Sequence, residues 1–218
     1  MNKEKNNKSP KRLIGFFSEQ TQKYYKLVET QTWPYLEISG IRMHCIKDTD
    51  PEKSTKQMVA YLGKPFGKIL DTCTGLGYVS THLSKIPAVQ KIHSFEVDEN
   101  VIALAKQNQH SQELFSNSKI EFKQGNIFEE IQTFPDNFFD FIIHDPPSIK
   151  IASELFSEKF YFQMFRVLKS KGQGFHYTGN TGIVRGKNLK KTVLTKLKNA
   201  GFRNLELTED IGGVIFKK

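Results

Sequence analysis

The chain has 218 residues, 38% of them hydrophobic and 12% aromatic, which suits one domain of ordinary size with a small appendage and excludes a wholly disordered chain. Its 32 Lys and Arg against 23 Asp and Glu leave a formal charge of +9, which favours a polyanionic partner such as RNA, a solvated basic surface being the plain alternative. Two cysteines, Cys45 and Cys73, make neither a disulfide framework nor a zinc site, so no metal is expected and the cytosol is the simplest compartment; no apolar run reaches the roughly 18 residues of a membrane helix.

Residues 1–12 are basic and nearly free of apolar side chains, too few to offset the entropy of ordering, and are expected to form a disordered tail. Residues 13–63 read as an N-terminal cap of a helix, a β-hairpin and a second helix. Leu13 to Val28 is amphipathic and supplies the first helix. Tyr35 to Ile38 and Ile41 to Ile46 read as strands about Ser39-Gly40, a two-residue hairpin turn. Asp50 before Pro51 is an N-cap signal with proline at the first helical position, so the second helix runs from Pro51 to Leu62 and closes on Gly63.

From residue 64 onward short strands alternate with helices, the pattern of a parallel sheet covered on both faces. Lys68 to Asp71 is a strand that enters the turn Thr72-Cys73-Thr74-Gly75-Leu76-Gly77 and then a helix from Tyr78 to Lys85. Lys91 to Val97 leads to a helix over Glu99–Gln109, and Lys119 to Lys123 to a short helix over Phe128–Thr133. Phe138 to His144 is almost continuously apolar, as a central parallel strand should be. A helix over Ala152–Leu168, a turn at Lys171-Gly172 and a strand over Gly174–Thr178 follow. A helix over Asn188–Ala200 and strands over Arg203–Leu207 and Gly213–Phe216 complete the chain. About five residues join those last two strands, too few for a parallel crossover, so one of them runs antiparallel. The expected fold is α/β: a doubly wound, seven-stranded, mostly parallel sheet with one antiparallel strand near the C-terminus, plus the small cap.

In such a sheet the ligand lies beyond the carboxyl ends of the strands. Asp71 to Gly77 stand there, then Glu96, Val97 and Asp98, Gly125-Asn126, Asp145-Pro146-Pro147-Ser148, and Tyr177 to Asn180. Gly75 and Gly77 allow close backbone approach, and the helix from Tyr78 aims its N-terminal dipole at the same spot. Glu96, 19 residues after Gly77, can accept both hydroxyls of a ribose; capping the next helix, its other possible role, suits Asp98 better. Asn126 either hydrogen-bonds a purine edge, with Ile127 covering the ring face, or caps the helix after it.

This ordered set resembles the class I S-adenosylmethionine-dependent methyltransferases over roughly residues 64–218. Asp71-Thr72-Cys73-Thr74-Gly75-Leu76-Gly77 is similar to the family's first motif, Glu96 to its ribose acid, Gly125-Asn126 to its adenine turn and Asp145-Pro146-Pro147 to its catalytic fourth motif. Leu168 to Gly174 resembles the Leu-Lys-Pro-Gly-Gly turn, departing at Ser170 and Gln173, and Asn126 stands where the family more often has an acid. More narrowly, the Asp71–Tyr78, His144–Pro147 and Phe175–Asn180 runs are similar to a group of archaeal methyltransferases of undefined substrate, some labelled spermine-synthase-like. The resemblance implies a Rossmann-like methyltransferase fold and S-adenosyl-L-methionine as cofactor. It implies that Asp71, Thr72, Cys73, Thr74, Gly75, Gly77, Tyr78, Glu96, Val97, Asn126, Ile127 and Asp145 bind that cofactor, and that Asp145, Pro146 and Pro147 are catalytic.

The two prolines fix φ and remove N–H donors, so the Asp145 carboxylate and the Pro146 carbonyl present acceptors that suit a nitrogen nucleophile. Where amino-methyltransferases of this motif carry an aromatic residue that stacks on a flipped-out base, this chain has Ser148, which leaves stacking to Phe156, Tyr161 or Tyr177. His144 either assists proton transfer or is a hydrogen-bonded strand-end residue. Ser148, Tyr177 and Asn180 are expected to line the acceptor pocket, with Arg185 and Lys187 meeting phosphates. The expected activity is N-methylation of RNA, tRNA or rRNA. An aminopropyltransferase of the spermidine synthase type, using decarboxylated S-adenosylmethionine, and a non-catalytic cofactor-binding partner subunit are the alternatives.

Overall fold

The computed structural model describes residues 14–44, 49–179, 189–208 and 210–218. The expected tail over residues 1–12, the strand end at Cys45-Ile46, and Asn180, Arg185 and Lys187 lie outside the described residues.

The chain opens on β1 (Ile14–Ser18) and β2 (Lys23–Val28), which pair antiparallel with Phe17 opposite Tyr24. The helix expected over 13–28 is therefore a hairpin. Phe16, Phe17, Tyr24, Tyr25 and Val28 favour a pleated surface, and burial along β2 follows a period of two, Tyr25 and Leu27 being buried and Tyr24 exposed. Gln22 supplies the left-handed turn residue at φ 54. β2 continues onto β3 (Tyr35–Ile38) and β4 (Ile41–Arg42), completing a four-stranded antiparallel sheet. Between β3 and β4, Ser39 (φ 46) and Gly40 (φ 81) are both left-handed, as the predicted two-residue turn requires. α1 (Pro51–Ala60) starts where predicted, its N-cap Asp50 accepting the Lys53 N–H at 3.0 Å.

The second sheet comprises β5 (Gly67–Asp71), β6 (Val89–Glu96), β7 (Ile120–Gln124), β8 (Phe139–His144), β9 (Leu168–Tyr177), β10 (Arg203–Thr208) and β11 (Gly213–Lys217), in the order β10-β11-β9-β8-β5-β6-β7. β11 runs antiparallel to both β9 and β10, and every other pair is parallel. The connections carry α2 (Tyr78–Ser84), α3 (Glu99–Gln107), α4 (Gln112–Ser116), α5 (Ile127–Glu130), α6 (Glu158–Val167) and α7 (Leu189–Asn199). Neighbouring β5 residues face opposite cores: Leu70 joins Ile142, Phe160, Met164 and Val193, whereas Ile69 joins Ile143, Val79, Leu83 and the α1 residues Met58 and Val59. A sheet buried on both faces explains the almost continuous apolar run of β8, interrupted by Asp140. The chain leaves β5 toward β6 and returns to its other side as β8, so the switch point lies at the carboxyl ends of β5 and β8.

Two expectations change in detail. The helix foreseen over 152–168 is broken at Ser157, in an extended conformation (φ −85, ψ 153), whose hydroxyl caps α6 by accepting the Phe160 N–H at 3.1 Å. The turn at Lys171-Gly172 is a bulge inside β9, with Phe139 opposite Leu168 but Phe141 opposite Gln173, and Lys171 at φ 69.

Candidate cofactor and acceptor site

β5 ends on Asp71, whose carboxyl lies beneath the turn: its Oδ2 accepts from Ser80 Oγ on α2 at 2.6 Å and from Ser94 Oγ on β6 at 3.2 Å. Thr74 Oγ1 lies 2.5 Å from Ser94 Oγ, and Thr72 Oγ1 lies 2.8 Å from His144 Nδ1. The side chains of Asp71, Thr72 and Thr74, expected at the cofactor, are thus buried supports that tie β5 to β6, β8 and α2. Above them Gly75 takes φ 55, and a Cβ there would meet nothing within 4 Å, so this part of the turn borders open space. Gly77 (φ 79) is needed for a different reason, since a Cβ there would come within 2.7 Å of Leu114 on α4. Cys73 is half-buried, and burial holds its thiol pKa well above the ordinary value.

Tyr78 does not face the ligand space. Its hydroxyl donates to Pro34 O at 2.8 Å and accepts from Asn108 Nδ2 at 2.8 Å, and its ring lies 4.8 Å from Trp33. Glu96 is held by three backbone amides: Oε1 accepts from Val97 and Asp98, and Oε2 from Gly75, each at 2.9 Å. A carboxylate has about four acceptor sites, so one remains, enough for one ribose hydroxyl rather than both. Burial raises the Glu96 pKa against those three amides. Asp98 caps α3 through Asn100 N–H at 2.9 Å, as anticipated. Val97 is 64% exposed and offers apolar surface beside Glu96. Asn126 is the cap of α5, its Oδ1 taking Phe128 N–H at 3.0 Å, and Ile127 is buried in the core, so neither keeps the simple adenine role.

Past β8, Asp145 is half-buried, Pro146 buried, Pro147 half-buried and Ser148 exposed. Among the described residues nothing donates a hydrogen bond to the Asp145 carboxyl; burial, and then the neighbouring Asp71 charge, push its pKa up to about 7. Burial likewise lifts Asp71 to about 6, against the hydrogen bonds from Ser80, Ser94 and Cys73. Tyr177 is half-buried at the end of β9.

His144 is not an acceptor-pocket residue. It is fully buried, with Nε2 3.0 Å from Leu155 O and Nδ1 facing the Thr72 hydroxyl. Because a carbonyl only accepts, Nε2 carries the proton and Thr72 donates to Nδ1. His176 lies beside it, ring centroids 4.4 Å apart, with Nδ1 3.2 Å from His144 O and Nε2 2.9 Å from the Tyr161 hydroxyl. Burial pushes the His176 pKa down to about 3 and that of His144 well below the usual imidazole range. Phe156 and Tyr161, candidates for base stacking, are core residues packed on this pair. The sequence reading missed His176, Ser80 and Ser94. Ser80 sits one turn into α2, where a hydroxyl can face back to the strand end, and that spacing was the available signal.

Among the described residues no group of three His, Cys, Asp or Glu side chains could hold a metal, and no helix is long and apolar enough to cross a membrane. A family model described as a methyltransferase domain matches residues 64–199. An uncharacterized protein of Methanocaldococcus jannaschii is 43% identical over 197 residues, 89% of this chain and 67% of that protein. Spermidine synthase from Thermotoga maritima superposes with a TM-score of 0.72 at 20% identity, covering 94% of this chain and 72% of that one. A SAM dependent methyltransferase from Aquifex aeolicus superposes at 0.57 with 19% identity, covering 77% and 93%. Both structural likenesses are of fold alone.

Proposed function

The chain belongs to the methyltransferase-domain family, and from that membership we propose that it is a cytosolic S-adenosyl-L-methionine-dependent methyltransferase that N-methylates RNA at the Asp145-Pro146-Pro147 turn. The observation that carries this reading is the conjunction, at the β5–β8 switch point, of open space beside Gly75 with an Asp145 carboxyl that no described residue engages. The residues fit an S-adenosyl group: Glu96 Oε2 has room for a ribose hydroxyl, Val97 offers apolar surface to a base, and Cys73 stands at the β5 strand end beside them. When bound, the cofactor supplies an electrophilic methyl group on a sulfonium. Asp145 and the Pro146 carbonyl accept the two hydrogens of an amino group and so orient its lone pair. With a pKa near neutrality, the Asp145 carboxyl can then hold a proton from that nitrogen. Exposed Lys150, on the loop after Ser148, together with Arg185 and Lys187, supplies charge for phosphates.

Incubation with bulk RNA and labelled cofactor tests this. Label should enter RNA, and Asp145→Ala should abolish transfer while S-adenosylhomocysteine affinity stays within about 3-fold, the loss of a group that makes no contact essential to binding. Label in protein instead refutes the RNA substrate.

The aminopropyltransferase reading has one observation in its favour. A likeness to spermidine synthase over 94% of the chain necessarily takes in the N-terminal sheet, which a likeness over 77% need not. Against it, the described acids around the site are committed: Asp71 to Ser80 and Ser94, Glu96 to three amides, Asp98 to Tyr25 and Asn100, Asp210 to Tyr61. Of the described strand-end acids, that leaves Asp145 for a polycation. Tighter calorimetric binding of the decarboxylated than of the ordinary S-adenosyl ligand would favour this second activity.

A further inference from the structure

The N-terminal sheet grips the Gly75–Gly77 turn at three points. On one flank Tyr25, fully buried in β2, donates its hydroxyl to Asp98 Oδ2 at 2.9 Å, and Thr21 Oγ1 lies 3.2 Å from that Tyr25 hydroxyl. The Asp98 N–H bonds Glu96 Oε1, and Glu96 Oε2 accepts the Gly75 N–H, so an unbroken run of contacts leads from the sheet to the residue beside the open space. On the other flank Tyr78, directly after Gly77, donates to Pro34 O. Between them Leu76, the middle residue of the turn, is 1% exposed and packs in one cluster with Tyr25, Leu27, Leu36 and Tyr78.

A turn with two left-handed glycines has much conformational freedom when unsupported. Fixing it before the ligand arrives removes that entropy from the cost of binding. We propose that the N-terminal sheet is a working part of the cofactor site, with Tyr25, Leu76 and Tyr78 as positioning residues that hold the Gly75–Gly77 turn in its ligand-ready shape. This rests on the reading of the turn as an S-adenosyl site, and by linkage a ligand that binds the set turn also strengthens docking of the sheet.

Tyr25→Phe keeps the buried ring and removes only the donor, and Tyr24→Phe, on the exposed face of β2, is the control. In the ligand-free protein, amide hydrogen exchange at Gly75, Val97 and Asp98 should speed up by about 3- to 10-fold in Tyr25→Phe, the scale of one hydrogen bond, and not in the control. S-adenosylhomocysteine affinity should fall by a similar factor. Combined with Glu96→Gln, the loss should differ from the product of the single effects, because the two residues share one chain of contacts. Tyr78→Phe provides the same measurements should Tyr25→Phe fail to fold. Unchanged exchange at Gly75 overturns the proposal whether or not the wild type binds S-adenosylhomocysteine. Failure of the wild type to bind it, with faster exchange in Tyr25→Phe, overturns the cofactor reading and leaves the positioning role standing.

Discussion

Replacing Asp145 by Asn should stabilise the protein, and more at pH 8 than at pH 5. The folded state holds the Asp145 carboxyl at about pKa 7, against an ordinary value of 3.8, because burial and the Asp71 charge disfavour its anion. Between those values the folded protein binds a proton that the unfolded chain has released, so stability falls as pH rises and levels off above about 7. Each pKa unit is worth about 1.4 kcal/mol, so the two units from pH 5 to 7 give roughly 2.7 kcal/mol, which partial exposure reduces to about 1–2.5. Asp145→Asn removes that loss. In a chain of this size about 1 kcal/mol moves the midpoint by roughly 2–4 °C, so the gain at pH 8 should exceed the gain at pH 5 by about 2–10 °C. Thermal unfolding of both proteins at pH 5, 6, 7 and 8 measures it. Equal gains at pH 5 and pH 8 would mean that the carboxyl is solvated or paired, and the picture of an unengaged, poised Asp145 would fail.

Glu96→Ala should weaken S-adenosylhomocysteine binding by about 1–3 kcal/mol, the scale of losing a charged acceptor, and an unchanged calorimetric affinity would reduce Glu96 to a brace for the turn. His176→Phe leaves the Tyr161 hydroxyl and the His144 carbonyl without their partner and should cost about 1–3 kcal/mol in urea unfolding. With its folded pKa near 3, wild-type His176 contributes stability that is present above the ordinary imidazole value of 6.5 and lost as pH falls toward 3, so the Phe variant should show a shallower acid slope.

The parts of the fold that were legible carry their own local cause. β8 is apolar but for Asp140 and its terminal His144 because both its faces are covered, Asp50-Pro51 starts α1, and Ser39-Gly40 takes the two positive φ values of a tight hairpin. Residues 14–28 misled because the adjacent aromatic pairs Phe16-Phe17 and Tyr24-Tyr25 fit a helical and a strand period equally. What decides is the partner strand β3, brought in after residue 34. In the site, the position of Gly75 and Asp145 at strand ends was legible, but the direction of a side chain was not. Asp71 and Thr74 turn inward because Ser80 and Ser94 receive them, Thr72 because His144 does, and Tyr78 because Pro34, 44 residues earlier, offers a carbonyl. Asn126 had two chemically equivalent employments, and the helix end took it.

The same contacts explain why a chain whose methyltransferase match begins at residue 64 carries an antiparallel sheet before it. Leu76, Tyr78, Val101, Leu104 and Ala105 are buried in one cluster with Tyr25, Leu27 and Leu36, so the second sheet's own helices leave an apolar surface that the first sheet covers. Full burial of a large apolar side chain is worth about 1.5–3 kcal/mol, so this interface contributes a substantial part of the net stability of a single domain. Since Leu76 belongs both to that interface and to the glycine turn, the packing that holds the sheets together and the shape of the ligand site are set by the same residue. Selection on either one therefore acts on the other.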